Sequence, residues 1–266
     1  MTRLVNFYTE REHHILGGGF ILLLILLWEL VPHVIALPKA LSLFFTTPLR
    51  VLEVCYELVV RNEIQTHLYV SAVEFLLGLG LAILAGLPLG LIMGRSSAAD
   101  AMLDPYVTAL NATPRLVFLP LLILWLGLGI WSKVMIVFIG ALFPLLINTY
   151  EGVKNVDRVL VNVVRSFGAN EWQVMKMVVL PNSLPYIVVG LRLAIGRAIL
   201  GVVVGEFFGA TKGLGAMMAK AASSYQVDIV FVGVAIFMGI SLVFTLTVKK
   251  IEAKLSRWRP EEAKTF

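Results

Sequence analysis

The sequence predicts an all-α integral membrane protein, a single transmembrane domain over residues 1–266 with six spanning helices. Composition carries the class: 59% of the residues are hydrophobic and 15% charged, where a soluble domain averages about 25% charged. Apolar runs carry the helix count, because one span takes about 20 largely apolar residues and the mean hydropathy is +0.88. Cysteine usage removes the small stapled folds. Cys55 is the single cysteine, so neither a disulfide framework nor a CxxC metal site can form within the chain. With four scattered histidines, among them the His13-His14 pair, no metal is assigned.

The first element is an anchor span over about residues 16–37. Its long apolar stretch follows a polar start and meets no small-residue cleavage site, unlike a secretory leader. Residues 38–67 are too polar to cross. There Leu49, Leu52, Tyr56, Val59 and Val60 recur at helical spacing, which predicts an amphipathic helix on the outer face, either packed on the span ends or serving recognition. The core runs from about 68 to 250, with spans over 68–93, 106–130, 134–150, 184–208 and 229–248. Arg192, Arg197 and Glu206 interrupt the fifth, and Pro88, Pro114, Pro120, Pro144 and Pro185 are candidates for kinks or helix limits. Glu29 and His33 mark the outer boundary of the first span.

Six spans put both termini on one side. That side would hold Arg3, Arg11, Arg95, Lys154, Arg158, Arg165, Lys176, Lys249, Lys250, Lys254, Arg257, Arg259 and Lys264, and the other Lys39, Arg50, Arg61, Lys133, Lys212 and Lys220. Cytoplasmic loops retain the excess of Lys and Arg, so both termini are expected in the cytoplasm. The net charge of +5 is therefore a topology signal and implies no nucleic-acid partner.

The loop over residues 151–180 is too apolar for a passive linker. Val156, Val159, Leu160, Val163, Val164 and Phe167 fall at i, i+3, i+4, i+7, i+8 and i+11, one stripe of a helix, with Asp157, Arg158, Asn162 and Arg165 on other faces. Gly168 stands where a C-terminal cap belongs, with the positive φ that glycine accepts. Asn170 is placed to cap a second helix, with Gln173 at the capping-box position. That helix presents Trp172, Met175 and Val179 and is expected to stop at Pro181.

Gly168, nine residues, Val178, one residue and Leu180-Pro181 resemble the cytoplasmic signature of binding-protein-dependent ABC importer permeases, EAA-x3-G-x9-I-x-LP. The EAA triplet falls on Asn162, Val163 and Val164, without the acidic residue. Further stretches resemble the nitrate, sulfonate and taurine branch: Leu103-Asp104-Pro105, the run from Pro120 through Trp125 to Gly127 and Gly129, residues 148–153, Gly190-Leu191-Arg192, and Glu206 followed by Gly213-Leu214-Gly215. The resemblance covers roughly residues 37 to 250. One departure is Glu74, which stands after Ser71 where this branch is expected to carry arginine.

The resemblance implies the transmembrane domain of a type I ABC importer in a bacterial-type inner membrane. In such permeases the signature forms a coupling helix docked in a groove of a separate ATPase subunit. Arg165, Ser166, Phe167, Gly168, Ala169, Trp172, Leu180 and Pro181 are the coupling candidates, with Phe167, Gly168, Ala169 and Trp172 in the contact itself. The chain contains no G-x-x-x-x-G-K-[ST] sequence to cradle phosphates, so ATP would be used by the partner and no cofactor is held here. A second permease copy, as homodimer or close heterodimer, and a periplasmic or lipid-anchored substrate-binding protein complete the expected assembly. The solutes of the branch are nitrate, bicarbonate, taurine, sulfonates and some aromatic or pyrimidine compounds.

Charges inside a span are by default paired, water-facing or functional. Arg192 and Glu206 are about 21 Å apart along a helix, too far to pair. Arg192, near the cytoplasmic end, would snorkel or bond carbonyls of a neighbouring helix. Arg197 is deeper, and two readings compete for it: a pathway guanidinium for an oxyanion, or an ion pair with Glu74. Glu206 with Gly213 and Gly215 resembles the external gate of the family, and equally suits a helix cap or a group meeting interfacial water. Two other functional classes compete with the importer permease. An ion-gradient-driven secondary transporter would use the intramembrane charges but would show inverted repeats and leaves the 151–180 loop unexplained. An intramembrane enzyme would need a motif such as HExxH or GxSxG, which is absent, so no catalytic residue is assigned.

Overall fold

The computed structural model describes residues 2–34, 38 and 44–255. Lys39, Arg257, Arg259 and Lys264 lie outside the described residues, as do the side chains of Arg3, Arg11, His13, His14, His33 and Lys254. Described in chain order are α1 (Thr2–Val34), α2 (Pro48–Val60), α3 (Glu63–Arg95), α4 (Ser97–Ala112), a 3-10 turn (Arg115–Val117), α5 (Phe118–Leu126), α6 (Ile130–Lys154), α7 (Arg158–Ser166), α8 (Glu171–Val174), a π-turn (Met175–Val179), α9 (Leu180–Phe207), α10 (Leu214–Ser223) and α11 (Val227–Leu255). Among the described residues, five helical stretches are long and apolar enough to cross a membrane, and a bent pair supplies a sixth if it counts as one span.

That pair corrects the third predicted span. Residues 106–130 do not form one helix: Ser97–Ala112 and Arg115–Leu126 meet at 85°. The cause is local. Pro114 pushes the residue before it out of the α region, and Thr113 is extended at φ −72°, ψ 131°. Gly127, at φ 74°, then ends α5 in a conformation that a Cβ disfavours.

The chain forms two compact units. In the unit made of Met1–Gln65 and Met217–Ala235, the apolar window Ile15–Pro32 is wholly unburied, as a lipid-facing anchor requires. The Trp28 indole N–H donates to the Thr46 carbonyl at 2.9 Å and the ring packs against Phe231 at a tilt of 43°, with centroids 5.1 Å apart. The Leu49 N–H donates to Glu29 at 3.1 Å. The predicted amphipathic helix exists as α2, started by Thr47, whose side chain accepts from the Arg50 N–H, and by Pro48 in the first turn. Its inward stripe, however, is Val51, Val54 and Leu58, whereas Leu49, Leu52, Tyr56, Val59 and Val60 are exposed. The helix carries two apolar stripes, and the one read from the sequence is the outer one.

In the unit made of Thr66–Ala216 and Ile236–Phe266, α6 lies between α3 and α9. Without a hydrophobic drive between helices in lipid, close backbone approach supplies the attraction. Gly78, Gly90 and Gly94 make that approach on the α3 side, since a Cβ on them would fall 2.5 Å from Val137, 2.7 Å from Thr149 and 2.5 Å from Val153. On the α9 side Gly201 does the same against the Val137 backbone at 2.9 Å. Phe75, Leu79, Val137, Ala141, Leu145, Val188, Ala198 and Val202 fill the space between.

Pro181 does not stop the helix before it. Helical structure continues from Glu171 to Phe207, because the chain widens into the π-turn Met175–Val179 and the Leu180 N–H bonds back to the Met175 carbonyl. Proline lacks an N–H and crowds the carbonyl four residues earlier. One π-turn just ahead of it absorbs both faults.

Candidate functional site

The loop between α6 and α9 is a rigid two-helix turn. Asp157 starts α7 by accepting from the Val159 N–H at 2.7 Å, and Gly168 ends it at φ 84°. The Gly168 N–H bonds to the Arg165 carbonyl at 2.9 Å and the Ala169 N–H to the Val164 carbonyl at 3.3 Å. That is the paired bonding of a Schellman cap. Asn170 and Gln173 form the predicted capping box, at 2.9 and 2.8 Å. Arg165 donates through Nε and Nη2 to Glu171 Oε1 at 3.1 and 2.7 Å, and Arg95 from the end of α3 also pairs with Glu171. The Ser166 hydroxyl folds back on the Val163 carbonyl at 2.7 Å.

The inner face of this turn is Val161, with Val153, Val174, Val178 and Val179, and Val156, Val164, Ala169 and Met175 pack against it. Val159, Leu160, Val163, Phe167 and Trp172 point outward, Phe167 being 87% and Trp172 71% exposed. Thus the predicted stripe is divided: Val156 and Val164 turn in, the rest turn out. Ala169 packs on the inner cluster, and half-buried Leu180 and Pro181 lie within the helical run. Apolar side chains grouped outward, on a turn fixed at both ends, mark an interaction surface.

A second constellation lies between α3, α6, α9 and the start of α10. Glu74 and Glu206 are buried, at 0% and 1% exposure. The partner of Glu74 is Lys133, with Nζ 3.6 Å from Oε1; the pair with Arg197, one of the two readings held for that arginine, does not form. Lys133 itself, counted above as a loop lysine, is buried. Glu74 of α3 is thus answered by a cation on the neighbouring helix α6. Glu206 accepts from the Ser71 hydroxyl and from the Gly215 N–H, both at 2.5 Å. Ser71 in turn accepts from the Leu214 N–H at 2.8 Å, and His67 Nδ1 from the Gly213 N–H at 3.0 Å. These side chains satisfy the first amides of α10, the donors a helix leaves orphaned, and Glu206 also puts a carboxyl at the positive end of its dipole. So Glu206 caps the next helix and is closed off from interfacial water. Gly213, at φ 123°, has room for no Cβ, which would fall on the Glu206 carboxyl.

Arg192 pairs with Glu252 of α11 instead of with helix carbonyls. Arg197 faces a cavity of about 480 Å³ that it shares with Arg115, Asn111 and Thr113 at the broken span. The sequence reading missed His67, Ser71 and Lys133 as site residues. A signal existed for two of them, since His67, Ser71 and Glu74 recur at i, i+4 and i+7 on one helix face. Lys133 carried none, because its partner Glu74 comes from another helix.

Residues 86–257 match the family described as binding-protein-dependent transport system inner membrane component. Over 217 residues the chain is 37% identical to a putative aliphatic sulfonates transport permease protein, SsuC, of Bacillus subtilis, covering 80% of this chain and 77% of that one. It is 33% identical to the taurine transport system permease protein TauC of Escherichia coli over 73% of this chain and 71% of that one. Among solved structures, an inward-facing form of the MetNI methionine ABC transporter superposes with a TM-score of 0.64 at 15% identity, over 72% of this chain and 95% of that chain. The fold is accordingly that of type I ABC importer transmembrane domains, and the intramembrane-enzyme and secondary-transporter readings are not favoured. This chain belongs to the binding-protein-dependent inner-membrane family, the permease subunits of ABC importers, which are not themselves enzymes and work with a separate ATPase subunit.

Proposed function

We propose that residues 1–266 act as one permease domain that pairs with a second copy, or a close relative, around a path for a small anion such as taurine, a sulfonate, nitrate or bicarbonate. The multi-pass chain sits in a bacterial-type inner membrane with both termini in the cytoplasm, and a periplasmic or lipid-anchored binding protein delivers solute. The α7–α8 turn enters a groove on the ATPase, with Arg165, Ser166, Phe167, Gly168 and Trp172 toward the contact and Ala169, Leu180 and Pro181 behind it. The single observation that carries this reading is the outward cluster of Phe167, Trp172, Leu160 and Val163 on a turn held by a Schellman cap, a capping box and the Arg95–Glu171–Arg165 ion pairs.

Burying a large apolar side chain contributes about 1.5–3 kcal/mol, so each of Phe167 and Trp172 is worth roughly tenfold or more in affinity. Phe167→Ser with Trp172→Ser should therefore abolish ATPase copurification and ATP-driven uptake in proteoliposomes while the permease still inserts. Unchanged association and uptake in that variant sinks the docking assignment. Glu206, Gly213 and Gly215 belong in this reading to the external gate, Glu206 holding closed the turn that Gly213 makes possible. Glu74 steadies it through Lys133, and Arg197 faces the pathway.

A further inference from the structure

Half-buried Arg115 and exposed Arg197 bring two guanidiniums to one open cavity of the spanning unit. The cavity is about 480 Å³ and is lined by Asn111, Thr113, Leu116, Ile136, Leu200 and Val204 beside the arginines, with no acidic side chain in its wall. The two cations act on each other electrostatically. Arg115 has one neutral partner, Asn111 Oδ1 at 3.4 Å, and Arg197 makes no hydrogen bond or ion pair among the described residues. The buried Glu206 is met by the Ser71 hydroxyl and the Gly215 N–H, whereas the cations Lys133 and Arg192 each have a countercharge, Glu74 and Glu252. Two cations held together without one are costly in a membrane, unless an anion enters between them.

The break at Thr113-Pro114 makes this possible. Ser97–Ala112 and Arg115–Leu126 meet there at 85°, and the break itself, Thr113, Pro114 and Arg115, lines the cavity to which α9 brings Arg197. Planar guanidinium forks match an oxyanion with several oxygens. The remaining wall is aliphatic: Leu116, Ile136, Leu200 and Val204. Nitrate or bicarbonate would leave that wall uncovered, whereas a short alkyl tail would cover it.

We infer that the cavity between Arg115 and Arg197 is a binding subsite for a small organic oxyanion, an anionic head held by the two guanidiniums and a short apolar tail lying on Leu116, Ile136, Leu200 and Val204. This rests on the permease reading above and narrows its solute to organic oxyanions. The same head-and-tail chemistry belongs to an anionic phospholipid, and the two sources are separated by experiment.

The permease–ATPase complex, in nanodiscs of phosphatidylcholine alone, is titrated with butanesulfonate, nitrate and butylammonium, and its melting temperature is followed. Butanesulfonate should stabilise the complex, nitrate only weakly and butylammonium not at all. Arg115→Gln and Arg197→Gln should each weaken the butanesulfonate midpoint by about tenfold, and the lysine variants, which keep the charge, should lose less. Four results overturn the inference: no stabilisation of the native complex by butanesulfonate, a response to nitrate equal to that of butanesulfonate, equal midpoints in native and glutamine variants, or glutamine variants that separate into single permease copies. A fifth, an anionic phospholipid that copurifies with the native complex and is lost from the double glutamine variant, assigns the cavity to lipid and overturns it too. Failure of the permease reading itself looks different: uptake in proteoliposomes would then be independent of ATP and of Phe167 and Trp172, whatever the titration shows.

Discussion

Glu74, Lys133 and Glu206 place two carboxyls and one ammonium inside a membrane protein, where a lone charge is costly and a paired one is tolerated. Lys133 lies 3.6 Å from Glu74, and Glu206 is held by Ser71 and the Gly215 amide. Removing one partner of a buried pair is worse than removing both, because it strands the other charge at a cost of about 3–5 kcal/mol. Lys133→Met should therefore lower the melting temperature of the purified permease steeply, and adding Glu74→Leu should restore most of the loss. A double variant as unstable as the single one means that Lys133 acts by packing alone. The pair also shows the limit of reading charges one helix at a time. Glu74 was recognisable as an intramembrane acid, but which of Arg197 and Lys133 answers it depends on how α3, α6 and α9 rotate against one another.

At the scale of elements, the α7–α8 turn was the most legible part of the chain. Its signals are local: Asp157 before the helix, Gly168 after it, Asn170 with Gln173 three residues on. Each is a backbone bonding requirement met within a few residues, and the structure has all of them. Gly168 stands at φ 84° in open space, so an added Cβ meets no neighbour and the cost of Gly168→Ala is conformational, roughly 1–2 kcal/mol. The expected outcome is faster hydrogen exchange in residues 158–166 and reduced ATP-driven uptake, with the spanning helices protected as before. Unaltered exchange in that segment refutes the requirement for a left-handed residue. Pro181 was less legible, because a proline signals a stop, while the π-turn that accommodates it leaves no mark of its own in composition.

For the whole molecule, orientation is the testable quantity. If both termini are cytoplasmic, α2 lies on the outer face, and Cys55 in its middle, partly accessible, is the only cysteine in the chain. A membrane-impermeant maleimide should then label Cys55 in spheroplasts and leave it unlabelled in sealed inverted vesicles. The reverse pattern inverts the topology and moves the α7–α8 turn away from any cytoplasmic ATPase. No mutation is needed, so no change of stability intrudes.

The amino-acid order alone determines that this chain lives in a bilayer, roughly where most of its apolar stretches lie, and how the α7–α8 turn is capped. Those properties depend on composition, on runs of apolar residues and on bonds between near neighbours. Three things were decided only by tertiary structure. Helices α2 and α7 each carry two apolar stripes, and periodicity cannot say which faces the protein: Val51, Val54 and Leu58 turn in on one, Val161 and Val164 on the other. The third span bends by 85°, although its hydropathy reads as continuous. And the countercharges of Glu74 and Arg192, like the shared cavity of Arg115 and Arg197, join residues far apart in sequence. Charge pairing inside a membrane is settled by which helix faces meet, and that is a property of packing.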